Sequence, residues 1–212
     1  LSGDKNLTHA FNNNIDVHSA TASEIFNIPL DHVTSDHRRS AKAINFGLIY
    51  GMSAFGLTRQ LGIPRHEAQA YLDTYFERYT GVRKYMDSTK ELAKKSLYVE
   101  TILGRKLHVA AINDSNGLRR QAAERAAINA PLQGSAADII KKAMIDVDRW
   151  IGDKNPDIKM IMQVHDELIF ETKKDFAQEA LEKIIKIMEQ AVKLDIPLIV
   201  DASIGENWNE AH

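Results

Sequence analysis

The residues best suited to chemistry lie in one fourteen-residue segment, residues 38–51. Arg38, Lys42, Phe46 and Tyr50 recur every four residues, so in a helix they form one slowly winding stripe of two cations and two aromatic rings. Arginine and lysine suit phosphate oxygens, and an aromatic ring can contact a base or sugar. The pattern predicts a surface for a nucleoside triphosphate. A solvated basic helix start followed by two core aromatics also accounts for the spacing.

A second candidate is the tetrapeptide Val164-His165-Asp166-Glu167 at the turn of a predicted hairpin. Two adjacent carboxylates at a tight turn can hold Mg²⁺, which prefers oxygen ligands. Because adjacent side chains of a strand point to opposite faces, we expect only one of Asp166 and Glu167 to face such a site. An ordinary polar hairpin turn is the alternative interpretation.

A third candidate is an alanine-rich helical segment, residues 119–134. Arg125, Asn129 and Gln133 step along one of its faces and could donate hydrogen bonds to base edges and sugars in a minor groove. A packing helix with a polar outer face explains the same pattern. His18 taken alone is more typical of a capping or surface histidine than of a ligand.

Composition narrows the class of protein. The 212 residues suffice for one sizeable domain or two small ones, and the net charge of -2 means that any nucleic-acid surface must be a local patch. The absence of cysteine excludes disulfides and thiolate metal sites. No apolar run of membrane-spanning length and no signal peptide is visible, which predicts a cytoplasmic protein without a membrane partner. A first residue of Leu rather than Met suggests a processed product or an excised piece.

The elements that must position these residues can be predicted from periodicity and breakers. Thr34, Ser35 and Asp36 offer caps for the helix that carries the stripe, and Ala41, Ile44 and Leu48 form its core-facing side. Further helices are predicted over residues 53–62, 64–79, 81–97, 119–130, 135–151 and 174–194, with two short strands over 98–103 and 106–109, a hairpin over 158–172 and a strand over 198–202. We expect Pro131 and Gly134 to interrupt the alanine-rich helix. The fold class is α+β.

Together the three segments resemble the DNA polymerases of family A, and the resemblance extends over the whole chain. Residues 38–51 are similar to the nucleotide-binding helix of the family's fingers, and the tetrapeptide at residues 164–167 is similar to the carboxylate motif of its palm. Residues 125–133 resemble the helix that tracks the primer–template.

The resemblance implies a mostly helical fingers region followed by part of a palm with an antiparallel β-hairpin and packed helices. Residues 1–118 would form the fingers, with the nucleotide-binding helix at 36–51. Residues 119–212 would hold the primer–template helix and the C-terminal part of the palm. The implied activity is templated addition of deoxynucleotides to a primer 3′ end in DNA replication and repair, in the cytoplasm of a bacterium and associated with its nucleoid.

The resemblance also implies roles at the nucleotide. Arg38 and Lys42 would bind the triphosphate with His18 beside them, and Lys42 would neutralise or protonate the departing pyrophosphate. Phe46 would contact the sugar and base, and Tyr50 would lie at the end of the pocket near the templating base.

A second set of implied roles concerns metal and DNA. Asp166 would bind one or both Mg²⁺ ions of a two-metal phosphoryl transfer, with Glu167 as a helper. The primer–template DNA would be held by four residues: Arg125, Asn129, Gln133 and His165.

One departure from the family pattern limits these expectations. The family uses a second metal-binding aspartate from a strand motif that would precede Leu1, so the missing N-terminal portion of the polymerase is an expected partner. The isolated chain is expected to be inactive for that reason. Two alternatives are a non-catalytic nucleic-acid-binding module and a metal-dependent hydrolase using Asp166 and Glu167, the latter weakened by the lack of further clustered carboxylates.

Overall fold

Local capping and apolar spacing divide the first two-thirds of the chain into helices. The computed structural model describes residues 1–152 and 157–211. The first elements in chain order are α1 (Lys5–Asn12), α2 (Val17–Ile25), α3 (Ser35–Ile49), α4 (Ala54–Leu61), α5 (Arg65–Arg78), α6 (Thr80–Ser96), β1 (Tyr98–Glu100) and β2 (Lys106–His108). They are followed by α7 (Gly117–Ile151), β3 (Ile158–Val164), β4 (Glu167–Thr172), α8 (Ala177–Glu189) and α9 (Trp208–Ala211). Single 3₁₀ turns lie at Leu30–His32, Ala110–Asn113 and Lys174–Phe176. The predicted α+β class is confirmed.

Side-chain caps begin the helices where the sequence predicts them. The Thr34 hydroxyl accepts a hydrogen bond from the His37 amide at 3.2 Å, and α3 starts there. Ser53 caps α4, and Gly62 ends it with a φ of +69°, a conformation that suits glycine. The stripe-bearing helix ends at Ile49 with Tyr50 as its cap, slightly earlier than the predicted end at residue 51.

The core of the first unit forms on the predicted inner face of α3. Ala41, Ile44 and Leu48 are fully buried, and Ile44 and Leu48 pack with Leu57 of α4 and Ala68 of α5 in the same core. Complete burial of one branched aliphatic side chain stabilises a fold by about 1.5–3 kcal/mol. This packing fixes the opposite face of α3 toward solvent.

The alanine-rich helix is one continuous element, which corrects the predicted break. Pro131 lies inside α7 and is buried, and the helix continues without interruption to Ile151. A proline removes one backbone donor from a helix interior. The donor that Pro131 lacks would have bonded to the Ala127 carbonyl. The Tyr85 hydroxyl of α6 donates a hydrogen bond of 2.9 Å to the next carbonyl, that of Ile128, so α6 contacts the helix beside the proline. Burial raises the pKa of Tyr85 to about 12, which keeps the hydroxyl a donor.

The small sheet β1–β2 is shorter than predicted. Its antiparallel pairs run from Tyr98 with His108 to Glu100 with Lys106. Residues 101–105 form the turn instead, because the Thr101 amide bonds to the Arg105 carbonyl at 3.0 Å. Val99 and Ile112 are buried in a second core with Ala93 and Ala127.

The β3–β4 hairpin carries an irregularity that the alternating pattern did not indicate. Strand pairing shifts register between Met160 and Met162, which places an additional residue, Ile161, in β3. Ile158 is buried, whereas Ile161 and Met162 are both exposed. Ile158, Met160, Met162 and Val164 alternate with other residues in the sequence, and the register shift separates the buried Ile158 from the exposed Met162. Ile158 packs in a third core with Val147, Ala180 and Ile184.

The last forty residues depart from the sequence prediction at two points. The helix predicted over 174–194 begins as a 3₁₀ turn and ends at Glu189, where a tight bond from the Ala191 amide to the Met188 carbonyl turns the chain. The strand predicted over 198–202 is not formed. In the part of the chain that the structure describes, β3 and β4 pair only with each other, so this segment has no neighbouring strand.

The chain divides into two compact units, Leu1–Gln133 and Gly134–His212. The division falls inside α7, fifteen residues after the predicted boundary at 118. The assignment of the two parts to fingers and palm stays a prediction. None of the helices described here is both long and apolar enough to cross a membrane.

Asp4 offers a test of how the first unit is held together. Its buried carboxylate caps α1 by accepting from the Asn6 and Leu7 amides, and it also accepts from the Gly81 amide of α6 at 2.8 Å. Asp4→Ala leaves these buried donors unpaired, so we expect the free energy of unfolding to fall by about 2–4 kcal/mol. Urea unfolding followed by far-ultraviolet circular dichroism measures this change. Asp31→Ala, at an exposed aspartate, is the control, and equal losses in both variants would contradict the bridging role.

Candidate functional site

The stripe on α3 is exposed along its length. Arg38 and Lys42 are both exposed, and Tyr50 is half-buried at the C-terminal cap. Phe46 is 44% exposed, although a phenylalanine on a packed helix would ordinarily enter the core. The interpretation of Phe46 as a core residue is therefore wrong. The helix presents cations in its first half and rings in its second half.

His18 joins this stripe from the neighbouring helix. Asp16 caps α2 by accepting hydrogen bonds from the His18 amide at 3.0 Å and the Ser19 amide at 3.3 Å, which fixes His18 in the first turn. The His18 ring centroid lies 5.9 Å from that of Phe46, and Phe46 lies 6.2 Å from Tyr50. The three rings form a continuous row. The structure thus brings His18 together with the stripe, and we call these five residues the α2–α3 row: His18, Arg38, Lys42, Phe46 and Tyr50.

Asp16 also holds the first cation of the row. The Arg38 Nε donates to the Asp16 Oδ2 at 2.6 Å, and both side chains are about half exposed. Partial burial opposes ionisation of Asp16, but hydrogen bonds from Arg38 and Ser19 outweigh it and lower its pKa to about 2. The carboxylate is charged at neutral pH. An anion that binds Arg38 must share the guanidinium with Asp16 or displace it.

The electrostatic surroundings keep the His18 imidazole neutral. Partial burial lowers its pKa below the usual value, and the nearby charges of Arg38 and Lys42 lower it further, while Asp16 opposes the shift. A neutral imidazole still carries one N–H donor. His18 can therefore donate a hydrogen bond to an anion without adding a third full charge beside the two cations.

The C-terminal end of α3 lies against α7. Gly51 has a φ of +76°, and a Cβ built on it would lie 3.3 Å from the Arg125 Cγ and 3.7 Å from the Ile128 Cδ1. Only glycine combines this backbone conformation with so close an approach. The ring end of the α2–α3 row is consequently next to Arg125, the first member of the predicted polar face of α7.

The polar face of α7 follows the predicted helical spacing. Arg125 and Gln133 are exposed, and Asn129 between them is half-buried. The Asn129 Oδ1 is buried and makes no hydrogen bond to any residue that the structure describes. The spacing is confirmed, and the role of this face in binding nucleic acid stays a prediction.

The hairpin turn carries the predicted carboxylates on two different elements. The loop contains only His165 and Asp166, and Glu167 is the first residue of β4, paired with Val164. His165 has a φ of +54°, and the Gln163 side chain donates to its carbonyl at 2.5 Å. Left-handed non-glycine residues are uncommon and cluster at functional sites. Asp166 is exposed at the tip of the turn.

The carboxylates supply hard oxygen donors of the kind that Mg²⁺ prefers. Asp166 and Glu167 are adjacent, but a group of three potential metal-ligating histidine, aspartate or glutamate side chains is not found within residues 1–152 and 157–211. The donor set fits part of a magnesium site, with the remaining ligands to come from elsewhere.

Comparison with known proteins decides the family. The sequence model of DNA polymerase family A matches residues 1–210. The chain belongs to DNA polymerase family A. It is 53% identical over its whole length to the DNA polymerase I of Pseudomonas aeruginosa and 46% identical to that of Bacillus subtilis. The chain covers 23% and 24% of these two relatives, so it spans about a quarter of their length.

A solved structure of a family A polymerase is similar to the whole chain. It is described as the POL domain of Pol1 from M. smegmatis in complex with DNA primer-template and dNTP. The match has a TM-score of 0.95 and 45% sequence identity, and it covers all of this chain and 37% of that one. The resemblance to family A inferred from the three motifs is confirmed.

Two residues next to the α2–α3 row were not predicted from the sequence. Asp16 was present in the sequence as an acidic residue two positions before His18, a spacing typical of a helix cap. Asn45 lies on the apolar face of α3 beside Ile44 and Leu48, and it is 3% exposed. The sequence feature that could have indicated Asn45 was a polar residue within an apolar stripe.

The Asp16 carboxylate predicts a specific pH dependence. Its pKa is about 2 in the folded chain and 3.8 without these contacts, so its stabilising contribution is complete above pH 4 and is lost as the pH falls from about 4 to about 2. Asn at position 16 can still cap a helix, but it has no carboxylate to become protonated in this range. We therefore expect the Tm of Asp16→Asn to fall less than that of the wild-type chain over this range.

Thermal unfolding at a series of pH values measures the difference between the two curves. Asp73→Asn serves as the control, since Asp73 is an exposed acid on α5. Parallel curves for the wild type and Asp16→Asn would show that the ion pair with Arg38 contributes nothing.

Proposed function

We propose that this chain supplies the nucleotide-binding helix and part of the palm of a DNA-directed DNA polymerase. The observation that carries the proposal is the exposed α2–α3 row, with cations at one end and rings at the other, in a member of family A. The similar M. smegmatis domain is described in complex with primer-template DNA and dNTP. The reaction is templated addition of a deoxynucleotide to a primer 3′ end in replication and repair.

The cationic end of the row binds the triphosphate. Arg38 offers a fork of donors and Lys42 a mobile ammonium, and both are exposed to an incoming anion. His18 adds a neutral N–H donor beside them. Lys42 neutralises or protonates the departing pyrophosphate, whose negative charge increases as the bond to the α-phosphate breaks.

The ring end of the row positions the nucleoside. Phe46 presents an exposed ring to the sugar and base, and Tyr50 lies next along the row. Template pairing determines which base enters, so these rings test the shape of the pair and not its hydrogen bonds. Arg125, Asn129, Gln133 and His165 hold the primer–template DNA.

The hairpin carboxylates hold a metal ion. Asp166 would hold Mg²⁺ with Glu167 assisting, and the other ligands would come from the rest of a longer polymerase. When bound, the ions stabilise the attacking and leaving oxygens of phosphoryl transfer. The chain corresponds to about a quarter of its curated relatives, so the remaining polymerase is its functional partner.

Lys42→Ala tests the triphosphate role. The variant is made in a chimera in which the 212 residues replace the matching segment of the Pseudomonas aeruginosa relative. We expect kcat/KM for nucleotide incorporation to fall about 10²-fold or more, because a donor to developing charge is lost. The Kd for primer–template should stay within about twofold, since Lys42 is assigned to the nucleotide and one phosphate contact carries only a small part of DNA affinity.

Single-turnover incorporation and DNA-binding titrations measure the two effects. Lys84→Ala, at an exposed lysine of α6, is the matched control and should change neither. Equal losses of incorporation and DNA binding in Lys42→Ala would argue against contact with the triphosphate.

Phe46→Tyr tests the sugar contact in the same chimera. A phenol hydroxyl could occupy the space left by an absent 3′ hydroxyl and form one hydrogen bond there, so discrimination against dideoxynucleotides should fall by up to about tenfold. Competition between deoxynucleotides and dideoxynucleotides measures the ratio. Phe55→Tyr is the control, because Phe55 is exposed on α4 outside the row. Unchanged discrimination in Phe46→Tyr would place that ring away from the sugar.

A further inference from the structure

Asn45 is a buried amide on the helix that carries the row. It is 3% exposed and lies on the face of α3 that packs into the core. An unpaired polar group in the interior costs free energy. Among the residues that the structure describes, the Asn45 Oδ1 makes no hydrogen bond, so the partners of Nδ2 must account for the amide at this position.

Both partners of the Asn45 amide nitrogen lie on α2. Nδ2 contacts the His18 Nδ1 at 3.0 Å and the Thr21 Oγ1 at 3.1 Å. The Thr21 hydroxyl donates its own proton to the Val17 carbonyl at 2.8 Å, so its oxygen is available only as an acceptor. An amide oxygen in the place of Nδ2 would find no proton at Thr21. The orientation of the Asn45 amide is thereby fixed with its NH₂ group toward His18.

This orientation determines which imidazole nitrogen carries the proton. An amide NH₂ group can only donate, so the His18 Nδ1 must accept and the proton must lie on Nε2. A doubly protonated imidazole would place an N–H against the Asn45 NH₂ group. The charged groups that act on the ring are Asp16 on the α2 side and Arg38 and Lys42 on α3.

We propose that Asn45 is a positioning residue that holds His18 as the neutral Nε2–H tautomer and presents that N–H to a phosphate oxygen of the incoming nucleotide. The part that concerns the nucleotide rests on the triphosphate role proposed above for His18. Asn45 directly precedes Phe46, so the same turn of α3 aligns the phosphate donor of α2 with the ring that contacts the sugar. The hydrogen bond from Asn45 sets both the proton position and the ring orientation.

Nitrogen NMR of the His18 imidazole tests the tautomer directly on the 212-residue chain at neutral pH. We expect an unprotonated Nδ1 and a protonated Nε2 in the wild type. Asn45→Asp replaces the donor with an acceptor of the same shape, so Nδ1 should gain a proton and the pKa of His18 should rise. Thr21→Val removes the acceptor that orients the Asn45 amide, so in this variant the proton of His18 should no longer be confined to Nε2.

A wild-type ring with its proton on Nδ1, or an Asn45→Asp chain with an unchanged tautomer, would overturn the proposal. The wild-type spectrum decides the tautomer even if a variant fails to fold. Circular dichroism establishes whether each variant retains its helices before its spectrum is interpreted.

A double-mutant cycle tests the consequence for catalysis in the chimera. Asn45→Leu removes the donor and keeps the branching of the side chain, and we expect the KM for deoxynucleotides to rise about tenfold, the effect of losing one oriented hydrogen bond to a charged group. In a His18→Ala background the same substitution should change KM by less than about twofold, because its effect passes through His18. Additive effects would show that Asn45 acts on the fold alone.

The two levels of the proposal fail in distinguishable ways. If His18 does not contact the triphosphate, His18→Ala leaves the KM for deoxynucleotides unchanged while the NMR result on the tautomer still stands. If Asn45 does not position His18, the tautomer in the wild type or its response to Asn45→Asp differs from that expected, whatever the kinetics show.

Discussion

The surface formed by α2 and α3 depends on one carboxylate. Asp16 caps α2 through the His18 and Ser19 amides and at the same time receives the Arg38 Nε from α3. Partial burial opposes ionisation of this carboxylate, but the hydrogen bonds that it accepts outweigh that effect and keep it ionised far below neutral pH. Without this group, the start of α2 and the first cation of the row would have no common anchor.

Elsewhere in the first unit, single polar side chains also form hydrogen bonds that join two helices. Asp4 joins the beginnings of α1 and α6, and the Tyr85 hydroxyl supports α7 beside its internal proline. Asn45 joins α3 to α2 through His18 and Thr21. Each of these groups is buried or partly buried, so its loss leaves donors or acceptors without water to replace it. The apolar core brings the helices together, and these hydrogen bonds determine their register.

Local features of the chain were predictable because local rules govern them. The caps of α3 and α4, the buried side of α3 and the four-residue spacing of the row all follow from helical geometry within a few turns.

The features that the sequence did not predict correctly have non-local causes. Pro131 was expected to end a helix, but α6 contributes a hydrogen bond beside it that the sequence around the proline does not reveal. The segment 198–202 has the composition of a strand, but none of the strands within residues 1–152 and 157–211 pairs with it. The contact between Asn45 and His18 joins residues 27 positions apart, so only the three-dimensional arrangement reveals it.

Gly51 has a consequence for how this sequence can change over time. The absence of a side chain there allows the end of α3 to lie against the Arg125 stem, and a Cβ would already be 3.3 Å from it. A larger residue at position 51 would meet this stem and would also have to adopt a left-handed backbone conformation, and a smaller residue at position 125 would relieve only the first of these two costs. We therefore expect position 51 to remain glycine even in relatives in which position 125 changes.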